Sequence, residues 1–233
     1  MNKNTTKIIA FIVGIIIGVI ALFEVIGVIT STVSFINSVI EAAKEDIKLG
    51  TNFYIYQPIN ILLAIAVVCL YGILSYKMIK AYVKKEEDNL NRPIMPIFIF
   101  FAFGAVSDLL YLIFSGFEAS NFVYLILNVA GVTLLVLAIF VKTLAKNVKN
   151  ILLLVAVGIA FILSVIYLAG SGSLGILINL LEVSMAVLVF LYYLFNMIIN
   201  GDFKEKAIES NSTEDKPVEE ETKDTEEEQK TEE

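Results

Sequence analysis

Apolar residues fall into six blocks along this chain. Each is about as long as the roughly 20 residues a helix needs to cross about 30 Å of bilayer hydrocarbon. The blocks run from Ile8 to Thr30, Pro58 to Tyr76, Pro93 to Phe114, Phe122 to Val141, Ile151 to Ala169 and Leu174 to Ile199. Strands of a membrane barrel are about ten residues long and alternate polar with apolar positions. These blocks do neither, so the pattern predicts an all-α polytopic membrane protein, a bundle of six transmembrane helices. Pro93 and Pro96 are expected in the first turn of the third helix and Pro58 in the first turn of the second, where a missing amide donor costs least.

Two finer patterns lie within and between the blocks. Val33, Ile36, Ile40, Ala43 and Ile47 recur at spacings of three and four, which marks an amphipathic segment over about 33–48. It is expected to prolong the first helix beyond the membrane or to lie on the outer surface, with its apolar edge against neighbouring helices and Ser34, Asn37, Ser38 and Glu41 on the remaining faces. In the first block, Ala10, Gly14 and Gly18 form a small-residue stripe that lets another backbone approach closely. A helix of the same chain is the expected partner, with a second copy or another membrane subunit as the alternative.

Composition agrees with the pattern: 58% of residues are hydrophobic, 18% are charged and the mean hydropathy is +0.81. The net charge of −7 is an average over two unlike parts. Residues 1–200 carry twelve Lys/Arg and ten Asp/Glu, whereas residues 201–233 carry five and fourteen. The second part has too little apolar area to offset the entropy of ordering it, so 201–233 is expected to be a disordered acidic tail behind a membrane domain over 1–200.

Basic residues set the expected orientation. Lys3 and Lys7, the run Lys77, Lys80, Lys84, Lys85 and Arg92, the trio Lys142, Lys146 and Lys149, and Lys204 and Lys206 all fall on one side. On the other side, Lys44 and Lys48 are offset by Glu41, Glu45 and Asp46, and the remaining two connections have no basic residue. Positively charged short loops stay inside, so both termini are expected in the cytoplasm and the chain in the cell membrane. The apolar block after Lys7 is too long for the core of a cleaved signal peptide. The basic residues adjoin lipid, so the lipid bilayer is their expected partner and no nucleic-acid surface is read from them.

The chemistry is narrowed by what is missing. There is no His and no Trp, and Cys69 is the lone cysteine, so neither a metal site nor a cofactor is expected from the usual ligands. No HExxH, GxSxG or P-loop spacing occurs, and an enzyme is not expected.

Ionisable groups inside a membrane are costly and commonly functional. Glu24, Asp108 and Glu182, with Asn128, lie four or five residues from the midpoints of four different blocks. At about 1.5 Å rise per residue that puts all four about 6 to 8 Å to the outer side of the midplane. Asn179, Tyr111, Tyr167, Ser107 and Ser164 fall within about a turn of the same level. No Lys or Arg shares it, so the carboxylates must be protonated or met by a cation from elsewhere. The leading expectation is a small integral membrane transporter, channel-like protein or transport subunit that handles protons, cations or a cationic solute through these outer-half carboxylates. The alternative is a noncatalytic membrane scaffold whose acids stabilise helix packing or contacts with another subunit or a second copy.

A repeat is also suggested. Tyr111–Gly116 resembles Tyr167–Gly172 at an offset of 56, and Leu127–Val129 resembles Leu181–Val183 at an offset of 54. The third and fourth spans would then duplicate the fifth and sixth, pairing Asn128 with Glu182.

Overall fold

A computed structural model describes residues 3–84, 92–170 and 172–199. The acidic tail expected over 201–233 lies outside the described residues, as does Lys85. Six helices follow in order: α1 (Lys3–Lys44), α2 (Thr51–Lys84), α3 (Met95–Ser115), α4 (Ala119–Phe140), α5 (Lys146–Gly170) and α6 (Ser173–Ile199). All six are long and apolar enough to cross a membrane. Each packs on its neighbour in sequence, α6 returns to α1, and α3 reaches across to α5. The helices therefore form a closed ring. One end, here the hairpin end, carries the α1–α2, α3–α4 and α5–α6 turns; the terminal end carries Lys3 and Ile199.

α1 and α2 differ from expectation in length. At about 1.5 Å per residue the 42 residues of α1 extend about 63 Å and the 34 of α2 about 51 Å, well beyond a bilayer's hydrocarbon. Pro58 was expected in the first turn of its helix, but α2 begins seven residues earlier and Pro58 lies inside it. Tertiary contacts account for the added turns. Asn52 Nδ2 donates to the Phe114 carbonyl at 3.0 Å, Phe53 packs on Phe35 with ring centroids 5.5 Å apart, and Tyr56 meets Tyr111 and Phe114. They offset the backbone bond that a proline ring removes from a helix interior. In α3, Pro96 does occupy the first turn, with Pro93 just ahead of the helix.

The amphipathic segment continues α1 as far as Lys44. Its end is set by a Schellman-type turn, in which Asp46 takes the left-handed conformation (φ 53°) and the Ile47 amide donates to the Ala42 carbonyl at 2.9 Å. The apolar edge does not pack as expected. Val33, Ile36 and Ile40 are 51%, 49% and 45% exposed, while the face carrying Phe35, Ser38, Val39 and Ala42 turns inward.

The Ala10, Gly14 and Gly18 stripe lies against α2 of the same chain. Ser75 Oγ donates to the Gly14 carbonyl at 2.7 Å, and a methyl group on Gly14 would come within 2.9 Å of Met78 Cβ. Gly18 also faces Ser75, and Ala10 is buried. With the Phe11–Tyr82 stack, centroids 4.5 Å apart, these contacts fix the antiparallel register of α1 and α2 at the terminal end.

That end of the ring is filled. Ile17, Met78, Ile97, Phe101, Leu163, Met185 and Val189 are fully buried in one cluster drawn from α1, α2, α3, α5 and α6. The outside is apolar too, with Leu22, Leu62, Ile73, Ile113 and Phe140 exposed. A ring apolar on its exterior as well as in its core suits helices that face lipid.

Candidate functional site

Above the apolar plug, toward the hairpin end, the ring encloses a cavity of about 310 Å³. Helical periodicity decides which residues reach it. α2 contributes Ala64, Val67 and Tyr71, three and four residues apart, and α3 contributes Phe100, Phe103, Gly104, Ser107 and Asp108 along one face. α6 supplies Ile178, Asn179 and Glu182, α5 supplies Tyr167, and α1 supplies Glu24. Carboxylates from three helices thus line one space, and among the described residues no Lys or Arg lines it with them.

The four residues singled out by depth are brought together in different ways. Asn128 is fully buried behind the wall, where its Nδ2 donates to Asp108 Oδ2 at 2.8 Å. The amide Oδ1 is buried without a partner. The wall at this point is Gly104, whose missing side chain makes room for the amide: a Cβ there would come within 2.7 Å of the Asn128 head group.

Glu182 is 9% exposed and, among the described residues, has no hydrogen-bonding or ion-pairing partner. Its helix, α6, packs on α1, which carries Glu24, whereas Asp108 stands on α3, which packs on α2, α4 and α5. Tyr167 feels both Asp108 and Glu182, and Tyr71, fully buried in α2, feels Glu182 and Glu24. Among the described residues no three acids, cysteines or histidines converge closely enough to hold a metal ion. The carboxylates therefore form a Glu24–Glu182 pole on α1 and α6 and a separate Asp108 pole on α3, and aromatic rings line the space with them.

An adjoining space of about 470 Å³ shares Glu24, Tyr167, Ile178 and Asn179 and is also lined by Tyr124, Ile166 and Gly175. Gly175 is the third residue of α6, and Glu182 is seven residues further on, about 10 Å along the axis at 1.5 Å per residue. The two spaces lead from the hairpin end down to Glu182. A third space of about 280 Å³ lies between α1 and α2 and is lined by Thr30, Ser31, Ser34, Phe35, Ser38, Phe53 and Gln57. Glu24, Gly27, Ser31, Ser34 and Ser38 recur at spacings of three and four, which puts the hydroxyls of this groove on the same face of α1 as Glu24.

Sequence depth brought out the acids, Asn128, Asn179, Tyr167 and Ser107. It missed Tyr71, Tyr124 and Gly104, although a tyrosine in the middle of the apolar second block was a usable signal. The residues paired by the suggested repeat have unlike surroundings: Tyr167 lines the cavity, whereas Tyr111 packs on Tyr56 and donates to Glu118 Oε2 at 3.4 Å near the hairpin end. No family model, curated protein or solved structure matches the chain.

Proposed function

We propose that this protein is a multi-pass cell-membrane transporter or transport subunit that takes protons, cations or a cationic solute into the cavity between Glu24, Asp108 and Glu182. One observation carries the reading: three carboxylates from three helices line a single space that no basic side chain among the described residues lines. A buried carboxylate at Glu182, with half-buried Glu24 and Asp108 lining the same space, is costly without compensation, and a cation arriving from outside the chain compensates it. The spaces lead to the hairpin end and the plug closes the terminal end, a one-sided arrangement suited to loading from the hairpin side. Lys77, Lys80, Lys84, Arg92, Lys142, Lys146 and Lys149 belong to the terminal end, which supports a cytoplasmic placement of that end and of both termini.

The test is uptake into proteoliposomes driven by a proton or cation gradient, with Glu24→Gln, Asp108→Asn and Glu182→Gln made one at a time. Loss of uptake in these variants is expected, and unchanged uptake in all three would remove the proposal. A second reading has support at one acid: Asp108 is tied across α3 and α4 by Asn128, as a residue serving only to join helices would be. Retained uptake with reduced stability in Asp108→Asn alone would assign it that role.

A further inference from the structure

The arrangement of charge and ring inside the cavity points to a particular class of cation, an inference that rests on the cation-handling reading above. A hard metal ion takes six or more oxygen ligands at close range, and the described acids do not converge in that way. Two anionic poles are instead set apart. Glu182 is buried on α6, which packs on α1, the helix of Glu24, whereas Asp108, held by Asn128, is on α3, which packs on α2, α4 and α5. The wall that they share also carries Tyr71, Phe100, Phe103 and Tyr167. Aromatic faces attract ammonium groups and accept methylene chains in a way that they cannot serve a hydrated metal ion. A monovalent amine would reach one pole only, whereas a diamine reaches both.

We propose that the cavity binds a linear aliphatic diamine, with one ammonium group at the Glu24–Glu182 pole, the other at Asp108, and the methylene chain against the rings of the shared wall. Two features of the site fit this ligand in particular. Glu182 has unused acceptors facing the cavity, so an ammonium with three donors meets a carboxylate free to receive them. Asn128 commits its donor to Asp108 from behind the wall, which holds that carboxylate in place for a second ammonium while leaving its other oxygen free of the Asn128 bond.

The test is equilibrium binding to the full chain in nanodiscs, measured by calorimetry with putrescine, cadaverine, butylamine, tetraethylammonium and potassium chloride. A charge-assisted hydrogen bond contributes about 1.5–3 kcal/mol, which converts to roughly tenfold to a hundredfold in affinity. The better of the two diamines is therefore expected to bind at least about tenfold tighter than butylamine. Asp108→Asn should bring diamine affinity down to that of butylamine and leave butylamine itself within about twofold, whereas Glu182→Gln should weaken both by about tenfold or more. Retained butylamine binding in Asp108→Asn serves as its folding control, and the wild-type ligand series needs no variant at all. Equal affinity for butylamine and both diamines, or equal loss of both in Asp108→Asn, overturns the diamine assignment and leaves the cation cavity standing. If none of the five probes binds the folded wild-type protein, the diamine assignment falls, whereas the function proposed above falls only if gradient-driven uptake is also unchanged in all three carboxylate variants.

Discussion

Asn128 Nδ2 donates to Asp108 Oδ2 at 2.8 Å, joining α4 to α3, while Asn128 Oδ1 is buried with no partner. The residue is fully enclosed, so the orphaned oxygen carries an uncompensated desolvation cost. Asn128 is thus only half satisfied, and what it secures is the position of a carboxylate that lines the cavity.

The first prediction weighs that bond as structure against its role in positioning. Hydrogen bonds between membrane helices average about 0.6 kcal/mol, with a maximum near 1.7. Asn128→Leu removes the bond and the orphaned oxygen together and keeps a similar volume, so it is expected to change stability by less than about 1.5 kcal/mol. Cation uptake should nevertheless fall by about tenfold, because Asp108 loses its tether. Unfolding in mixed micelles and uptake in proteoliposomes measure the two effects. A loss of uptake no larger than the loss of folded protein would mean that Asn128 serves packing alone.

Gly104 gives the second. A methyl group here meets the Asn128 head group at 2.7 Å, and overpacking a well-filled site typically costs about 1–3 kcal/mol. Gly104→Ala is therefore expected to lower the unfolding free energy by that amount and to impair uptake. Gly72, whose added Cβ would meet nothing within 4 Å, supplies the control: Gly72→Ala should leave both measurements unchanged.

How much of this was legible from the sequence depends on which physical effect set each feature. The six helices were readable because bilayer thickness imposes a length on any apolar block. Glu24, Asp108 and Glu182 could be placed at one level because depth follows directly from a fixed rise per residue. Order around the ring is a different matter. Tyr71, Tyr124 and Gly104 matter because of which helices lie beside theirs, and single-chain periodicity does not encode that. The start of α2 was missed because Phe35, Tyr111 and Phe114, all distant in sequence, stabilise the turns before Pro58. The edge of Val33, Ile36 and Ile40 was assigned to the interior by a rule drawn from water-soluble proteins. Over this stretch the inward face instead carries Phe35, Ser38, Val39 and Ala42, because Phe35 is held against Phe53 of α2.

The third prediction concerns the α1–α2 contact. Ser75→Ala deletes one interhelical bond to the Gly14 carbonyl and is expected to cost about 0.6 kcal/mol. Gly14→Val puts side-chain atoms where Met78 and the Ser75 carbonyl already stand, so it should cost about 1–3 kcal/mol. It should also weaken the Phe11–Tyr82 stack one turn away. Unfolding in mixed micelles gives the free energies, and disulfide formation between Phe11→Cys and Tyr82→Cys, in a Cys69→Ala background, reports the spacing. Equal stability of the two variants would show that close approach at Gly14 is not what holds the pair.

The fourth concerns access to Glu24. Ser31, Ser34 and Ser38 line the groove between α1 and α2 and continue the helix face that carries Glu24, whereas Val33, Ile36 and Ile40 lie on the exposed apolar edge. If ligand and water reach Glu24 along the hydroxyls, single cysteines at the three serine positions should react with a charged, membrane-impermeant thiol reagent. Cysteines at Leu22 and Ile26, exposed on the outside of α1 within its apolar span, should react at least about tenfold more slowly, because thiolate formation is suppressed in apolar surroundings. With Cys69→Ala as background, and reagent added from the side facing the hairpin end, a saturating concentration of whichever amine binds should slow modification of Ser31→Cys most, as the groove position nearest Glu24 in sequence. Equal reactivity on the two faces of α1 would show that the groove is not the path, leaving the space beside Gly175 as the route from the hairpin end to Glu182.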